Sequence, residues 1–98
     1  MPTYMVLYAF TDEAIKAPKD IPASVEQVHA AIAQIGGKVV ACYTLMGEYD
    51  AVGIYELPSD EAALTLMLNV GASGAVRTKT YRAFPPEQLA ELVKQLPG

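Results

Sequence analysis

Two strand-like runs, Lys38–Leu45 and Ala51–Leu57, are separated only by Met46-Gly47-Glu48-Tyr49-Asp50. So short a connection makes the neighbouring strands fold back on one another as a hairpin, with Gly47 expected to take the positive φ of a tight reversal. A phenol and a carboxylate, Tyr49 and Asp50, stand side by side at that turn. The hairpin constrains the topology of much of the chain. It names no reaction.

The segments around it read as two similar halves. Tyr4 to Phe10 alternates large and small apolar groups, the period of a strand. Thr11 to Lys19 is a polar connection that ends near Pro18, with one helical turn expected at Asp12-Glu13-Ala14-Ile15. Asp20 or Ser24 can cap a helix that tolerates Pro22 in its first turn. Val25, Val28, Ile32 and Ile35 mark its apolar stripe, and Gly36-Gly37 ends it. After the hairpin, Ser59 caps a second helix whose first turn carries Asp60 and Glu61. This helix runs to about Val70 and is apolar on most sides, so deep burial is expected. Gly71-Ala-Ser-Gly74 releases it into a last strand, Ala75 to Phe84. Pro85-Pro86-Glu87 then opens an amphipathic helix carrying Leu89, Leu92, Val93 and Leu96.

The order β-α-β-β-α-β plus a terminal helix defines a ferredoxin-like α+β plan. Right-handed crossovers place both main helices on one face of a four-stranded antiparallel sheet. The first and third strands are expected as central, parallel neighbours, with the second and fourth at the edges. Helices cover one face only, yet the third strand is apolar on both sides: Val52 and Ile54 point one way, Ala51, Gly53 and Tyr55 the other. A sheet with one wet face normally alternates apolar and polar residues. The free face is therefore expected to meet a second copy in a two-fold dimer or a higher even oligomer.

Composition supports that expectation. Within 98 residues, 52% are hydrophobic and only 18% charged, an apolar balance for a single small domain spanning 1–98. No apolar run is long enough to span a membrane or to read as a signal peptide. One cysteine allows no internal disulfide, which fits a reducing cytoplasm. A net charge of -4, with no basic stripe, disfavours nucleic acid.

Tyr43-x-x-Met46-Gly47-x-Tyr49-Asp50-x-Val52, followed by Glu56-x-Pro58, resembles the signature of the GYD domain family. Pro2-Thr3-Tyr4 with Thr11-Asp12, and Arg77-Thr78-x-Thr80 leading to Ala83-Phe84, are similar as well, so the likeness runs from about residue 2 to residue 96. It implies a dimeric α/β barrel, in which ferredoxin-like sheets pack face to face. That group holds cofactor-independent oxygenases, isomerases, haem-handling enzymes and ligand-sensing domains of transcription regulators. The GYD branch brings no reaction with it, and His29, Tyr55 and Tyr81 stand where blander residues are expected.

Three sets of side chains carry the candidate chemistry. Tyr49 and Asp50 can hydrogen-bond a ligand at the barrel mouth, or Asp50 can tie down the hairpin while Tyr49 packs at the subunit junction. On the expected topology Asp50 approaches Arg82 and Arg77 approaches Glu56. His29 is the default proton carrier near neutrality and shares the core-facing side of its helix with Val25 and Ile32; the plainer account is a helix-flank imidazole with its tip in water. Tyr8, Tyr43 and the other strand tyrosines suit an aromatic ligand, or, on the plainer account, a dimer seam, where tyrosine is enriched. Cys42 reads as a small buried hydrophobe. One histidine and one cysteine cannot supply a zinc set, and no cofactor is expected.

The ligand-binding set is thus Tyr8, His29, Tyr43 and Tyr49, and the catalytic candidates are His29, Tyr49 and Asp50. Three functions remain open. One is a homodimeric module holding a small apolar or aromatic molecule between sheet and helices. Another is a cofactor-independent isomerase or monooxygenase that uses the same cavity for proton transfer. The third is a protein-interaction module without a ligand.

Overall fold

A computed structural model describes residues 1–98. Strand β1 (Thr3–Phe10) leads through a one-turn helix α1 (Asp12–Ile15) and a 3-10 turn (Pro18–Asp20) into helix α2 (Ile21–Gln34). Strands β2 (Lys38–Thr44) and β3 (Ala51–Glu56) form the hairpin, followed by α3 (Asp60–Ala72), β4 (Val76–Ala83) and α4 (Pro86–Lys94). The sheet order is β2-β3-β1-β4, and every pairing is antiparallel. This is the ferredoxin-like arrangement the element order implies.

Local chemistry explains most boundaries. Thr11 Oγ1 accepts from Ala14 N and caps α1, and Ser59 Oγ accepts from Ala62 N at 3.1 Å to cap α3. Gly36, at φ +83, ends α2, and Gly74, at φ +78, turns the chain after α3 into β4. Asp20 precedes α2 without a side-chain cap; Ser24 Oγ instead donates to Asp20 O at 3.2 Å, one turn back along the helix.

Four sequence expectations are corrected. First, β1 and β3 are central but antiparallel. A right-handed crossover returns β2 in the direction of β1, so the hairpin sends β3 the opposite way. Secondly, β3 and β4 both oppose β1, so their starts lie at the same end of the sheet. Asp50 therefore sits near Ala9 and Arg77, which pair in register, while Arg82 faces Tyr4 at the far end and pairs with Asp60 at 3.5 Å. Neither the Asp50–Arg82 nor the Glu56–Arg77 approach occurs. Thirdly, the only positive-φ glycines are Gly36, Gly74 and Gly98, so Gly47 is not the strained residue of the reversal. Residues 45–50 are enough chain to turn without one, closed by Leu45 N donating to Asp50 O at 2.8 Å. Finally, α3 buries Ala63, Leu66, Met67 and Val70 but leaves Leu64 and Leu68 62% and 66% exposed. One sheet face can cover only one side of a helix.

The core lies between the sheet and α2 and α3. Tyr4, Val6 and Tyr8 of β1 and Ala51 and Tyr55 of β3 point into it, against Ile32 of α2 and Ala63, Leu66, Met67 and Val70 of α3. On the other face the register sets Ala41, Ile54, Met5 and Tyr81 in one row and Tyr43, Val52, Leu7 and Lys79 in the next. No helix of the chain covers these rows. Helix α4 makes no substantial packing contact with the other elements, and its Leu89, Leu92 and Val93 are exposed, as is Leu96 just beyond its end. The radius of gyration is 15.2 Å, where a compact chain of this length has about 13 Å.

Candidate functional site

Between the sheet and α2 lies a cavity of about 490 Å³. Small-molecule sites commonly occupy about 300–1,000 Å³. Its inner wall is built from residues of one parity on each strand, Tyr8 and Phe10 from β1, Ala51 and Tyr55 from β3 and Cys42 from β2, with Val25, Val28 and His29 descending from α2. Val70 and Val76 close the side toward α3 and β4. The mouth is marked by exposed residues, among them Glu13, Ala17 and Asp20 of the β1–α2 connection.

Three buried polar groups sit in this mostly apolar space, whose lining also carries Ser24, Gln27, Asn69 and Ser73. The hydroxyls of Tyr8 and Tyr55 are 2.7 Å apart and buried, sharing one hydrogen bond. Burial raises the pKa of both phenols above the ordinary tyrosine value, so the pair keeps both its protons. His29 stands edge-on to Tyr55, ring centroids 6.4 Å apart, and its Nε2 is buried without a hydrogen-bond partner. An unsatisfied buried polar atom costs stability, and in a cavity it is a point that a ligand can satisfy. Burial likewise raises the Cys42 thiol, which stays protonated and behaves as a weakly polar wall.

Gly53 makes the pair possible. It precedes Tyr55 by two on β3, so both face the helices, and a Cβ there would run into the Tyr55 hydroxyl. The phenol lies back over the space the missing side chain leaves, and its hydroxyl reaches Tyr8. Tyr55 is absent from the sequence candidates for the site, although Gly-x-Tyr on a buried strand face is a signal that points to it.

Of the sequence candidates, the fold brings Tyr8 and His29 to one cavity and places the others elsewhere. Tyr43 lies on the uncovered sheet face, 65% exposed. Tyr49 accepts a hydrogen bond from Lys79 Nζ at 3.0 Å, and the ammonium also lies 5.4 Å from its ring centroid. That hydrogen bond is the main cause of the raised Lys79 pKa. Asp50 ties the start of β3 to the end of β1: its Oδ2 accepts from Phe10 N at 2.7 Å, and its own N donates to Tyr8 O at 2.8 Å. No group of three or more histidine, cysteine or acidic side chains gathers where a metal ion could be held. No helix is long and apolar enough to cross a membrane.

A second polar cluster occupies the opposite end of the core. Tyr4 donates to Asp60 Oδ1, Arg82 pairs with the same carboxylate, and the guanidinium lies over the Tyr4 and Phe84 rings at 5.8 and 5.3 Å. Burial, reinforced by the Asp60 carboxylate, pushes the Tyr4 pKa up to about 12.

Fold and cavity together define a small ferredoxin-like α+β domain with one uncovered sheet face and a pocket under its helices. The chain belongs to the GYD domain family, whose model matches residues 4–93. A curated relative from Thermus thermophilus, named glutamine synthetase and cystathionine beta-lyase binding protein, is 31% identical over 98% of this chain and 99% of its own. Among solved structures, TTHA0845 from the same organism matches at TM-score 0.52 and 27% identity, covering 87% of this chain and 99% of that one. The leucine response regulatory protein of Mycobacterium tuberculosis matches at TM-score 0.63 and 23% identity, over 86% of this chain and 51% of the regulator. The chain thus spans about half the length of that regulator, and the likeness to it is one of fold.

Proposed function

We propose that this GYD domain acts as a two-fold dimer that holds a small apolar or aromatic molecule between sheet and helices. The cavity carries the reading: about 490 Å³ of mostly apolar space into which Tyr8, Tyr55 and the unpartnered His29 Nε2 bring hydrogen-bonding groups. The dimer rests on the rows Ala41-Ile54-Met5-Tyr81 and Tyr43-Val52-Leu7-Lys79, a face too apolar for open water. In that arrangement Tyr43 and Tyr49 belong to the seam and its rim. Turnover of the isomerase or monooxygenase kind would draw on His29 and the tyrosine pair, since Tyr49 and Asp50 lie outside the cavity.

The name of the Thermus relative favours a second reading, in which the domain docks on other proteins. The exposed leucines of α3 and α4 are the surface available for it.

The test is a fragment screen read on the single histidine by NMR. Aromatic fragments are expected to shift the His29 ring resonances in the wild type and to lose that effect in Val28→Trp, whose indole fills the cavity. A screen in which no fragment reaches His29 removes the ligand reading and leaves the docking one.

A further inference from the structure

The cavity's polar groups are specific enough to say what the buried end of a ligand must offer. Two tyrosine hydroxyls carry two protons, and one is used between them, so the Tyr8–Tyr55 pair has one proton left to donate. Beside it, His29 Nε2 is buried and unmatched. It accepts when the ring proton is on Nδ1 and donates when the proton is on Nε2 itself. A carbonyl oxygen can only accept, and an ammonium can only donate. A hydroxyl accepts the spare tyrosine proton and serves either tautomer of the imidazole.

Charge points the same way. No lysine or arginine lines the cavity, and its charged side chains are the carboxylates Glu13 and Asp20. The N-terminus of α2, a partial positive charge at the mouth, carries Asp20 at its cap position. An anion would enter past two like charges and find no cation to neutralise it.

Resting on the ligand-cavity reading above, we infer that this site takes uncharged apolar alcohols or phenols, hydroxyl inward between the Tyr8–Tyr55 pair and His29, and discriminates against carboxylates. Three probes of nearly one shape separate the terms: 2-naphthol, 2-methylnaphthalene and 2-naphthoate. Each is titrated at neutral pH by calorimetry, with the His29 ring resonances confirming where it binds. Two buried hydrogen bonds should favour 2-naphthol over 2-methylnaphthalene by about tenfold or more. 2-Naphthoate should bind more weakly than either.

In the double variant Tyr8→Phe/Tyr55→Phe, the preference for naphthol over methylnaphthalene should fall markedly while methylnaphthalene binding is kept, a pattern that loss of the fold could not produce. Equal binding of naphthol and methylnaphthalene by the wild type, or tighter binding of naphthoate, overturns this assignment and leaves a ligand cavity in place. Failure of all three to reach His29 overturns the assignment, and with the fragment screen also blank the cavity reading goes too.

Discussion

A side chain on Gly53 would place its Cβ 2.8 Å from Cε2 of Tyr55 and in outright overlap with the hydroxyl oxygen and Cζ, so the two residues share one space. The neighbour in conflict is a ring held at 1% exposure. Gly53→Ala should therefore cost about 1–3 kcal/mol by overpacking and break the Tyr8–Tyr55 hydrogen bond. Urea unfolding of Gly53→Ala, Tyr55→Leu and the double variant measures this. Leucine removes the clashing atoms, so the double variant should lose less than the sum of the singles. Strict additivity would show that the alanine is accommodated some other way.

Alkaline titration gives an independent reading of the core. The phenols of Tyr4, Tyr8 and Tyr55 all have raised pKa values in the fold, by burial first, with Tyr4 pushed up to about 12. A folded-state pKa above the unfolded one means that the unfolded chain releases these protons more readily. Stability from the three is fully present below the ordinary tyrosine pKa of about 10 and drains away as pH rises above it. Denaturant midpoints should stay level in these groups' terms up to about pH 9 and then fall. Phenolate absorbance should show Tyr4, Tyr8 and Tyr55 titrating late. Six ordinary titrations in the folded protein would contradict the buried pair.

Leu7 lies at the centre of the uncovered sheet face, between Val52 and Lys79. Leu7→Glu should leave the core untouched, because its side chain points away from Tyr4, Val6 and Tyr8. In a two-fold dimer it would bury two carboxylates at the seam, an arrangement costing several kcal/mol. Sedimentation equilibrium should show a wild-type dimer and a monomeric variant with retained far-UV dichroism. A monomeric wild type at micromolar concentration would remove the sheet-face dimer.

The Tyr4–Asp60–Arg82 cluster separates a buried donor from an exposed cation. Asp60→Ala takes the acceptor from a phenol that is 3% exposed and an acid from the first turn of α3. It should cost about 1–2 kcal/mol. Arg82→Ala removes a half-exposed partner at 3.5 Å and should cost no more than about 1 kcal/mol. Thermal unfolding of both variants checks the order. A reversal would mean that the guanidinium, stacked over Tyr4 and Phe84, contributes chiefly by packing.

Within the candidate site, legibility divided along a physical line. Tyr8 and His29 were readable because each lies on a local pattern, one on alternating strand parity and the other on the core stripe of α2. Tyr55 escaped because its role depends on Gly53 beneath it and on Tyr8 of the neighbouring strand, four register positions along, relationships no single segment contains. Tyr49 and Asp50 drew attention as neighbours in the chain, but a β-hairpin sends adjacent side chains different ways, one to Lys79 and the other to the backbone of β1. Leu64 and Leu68 looked buried because an apolar helix reveals its content, whereas only the sheet's extent decides how many of its sides are covered.

By itself the chain's order of residues determined where most elements begin and end to within a residue or two, which strand faces are apolar, and that the hairpin joins two β-α-β halves. Caps, glycine stops and alternation act within a few residues, so they can be seen in one dimension. Only the tertiary structure decided which ends of the sheet coincide, and so that Asp50 lies toward Arg77 while Arg82 pairs with Asp60. It also decided that Tyr8, Tyr55 and His29 meet in one cavity. Those outcomes depend on strand direction and on helix placement over the sheet, which are set by the packing of distant segments and not by any spacing along the chain.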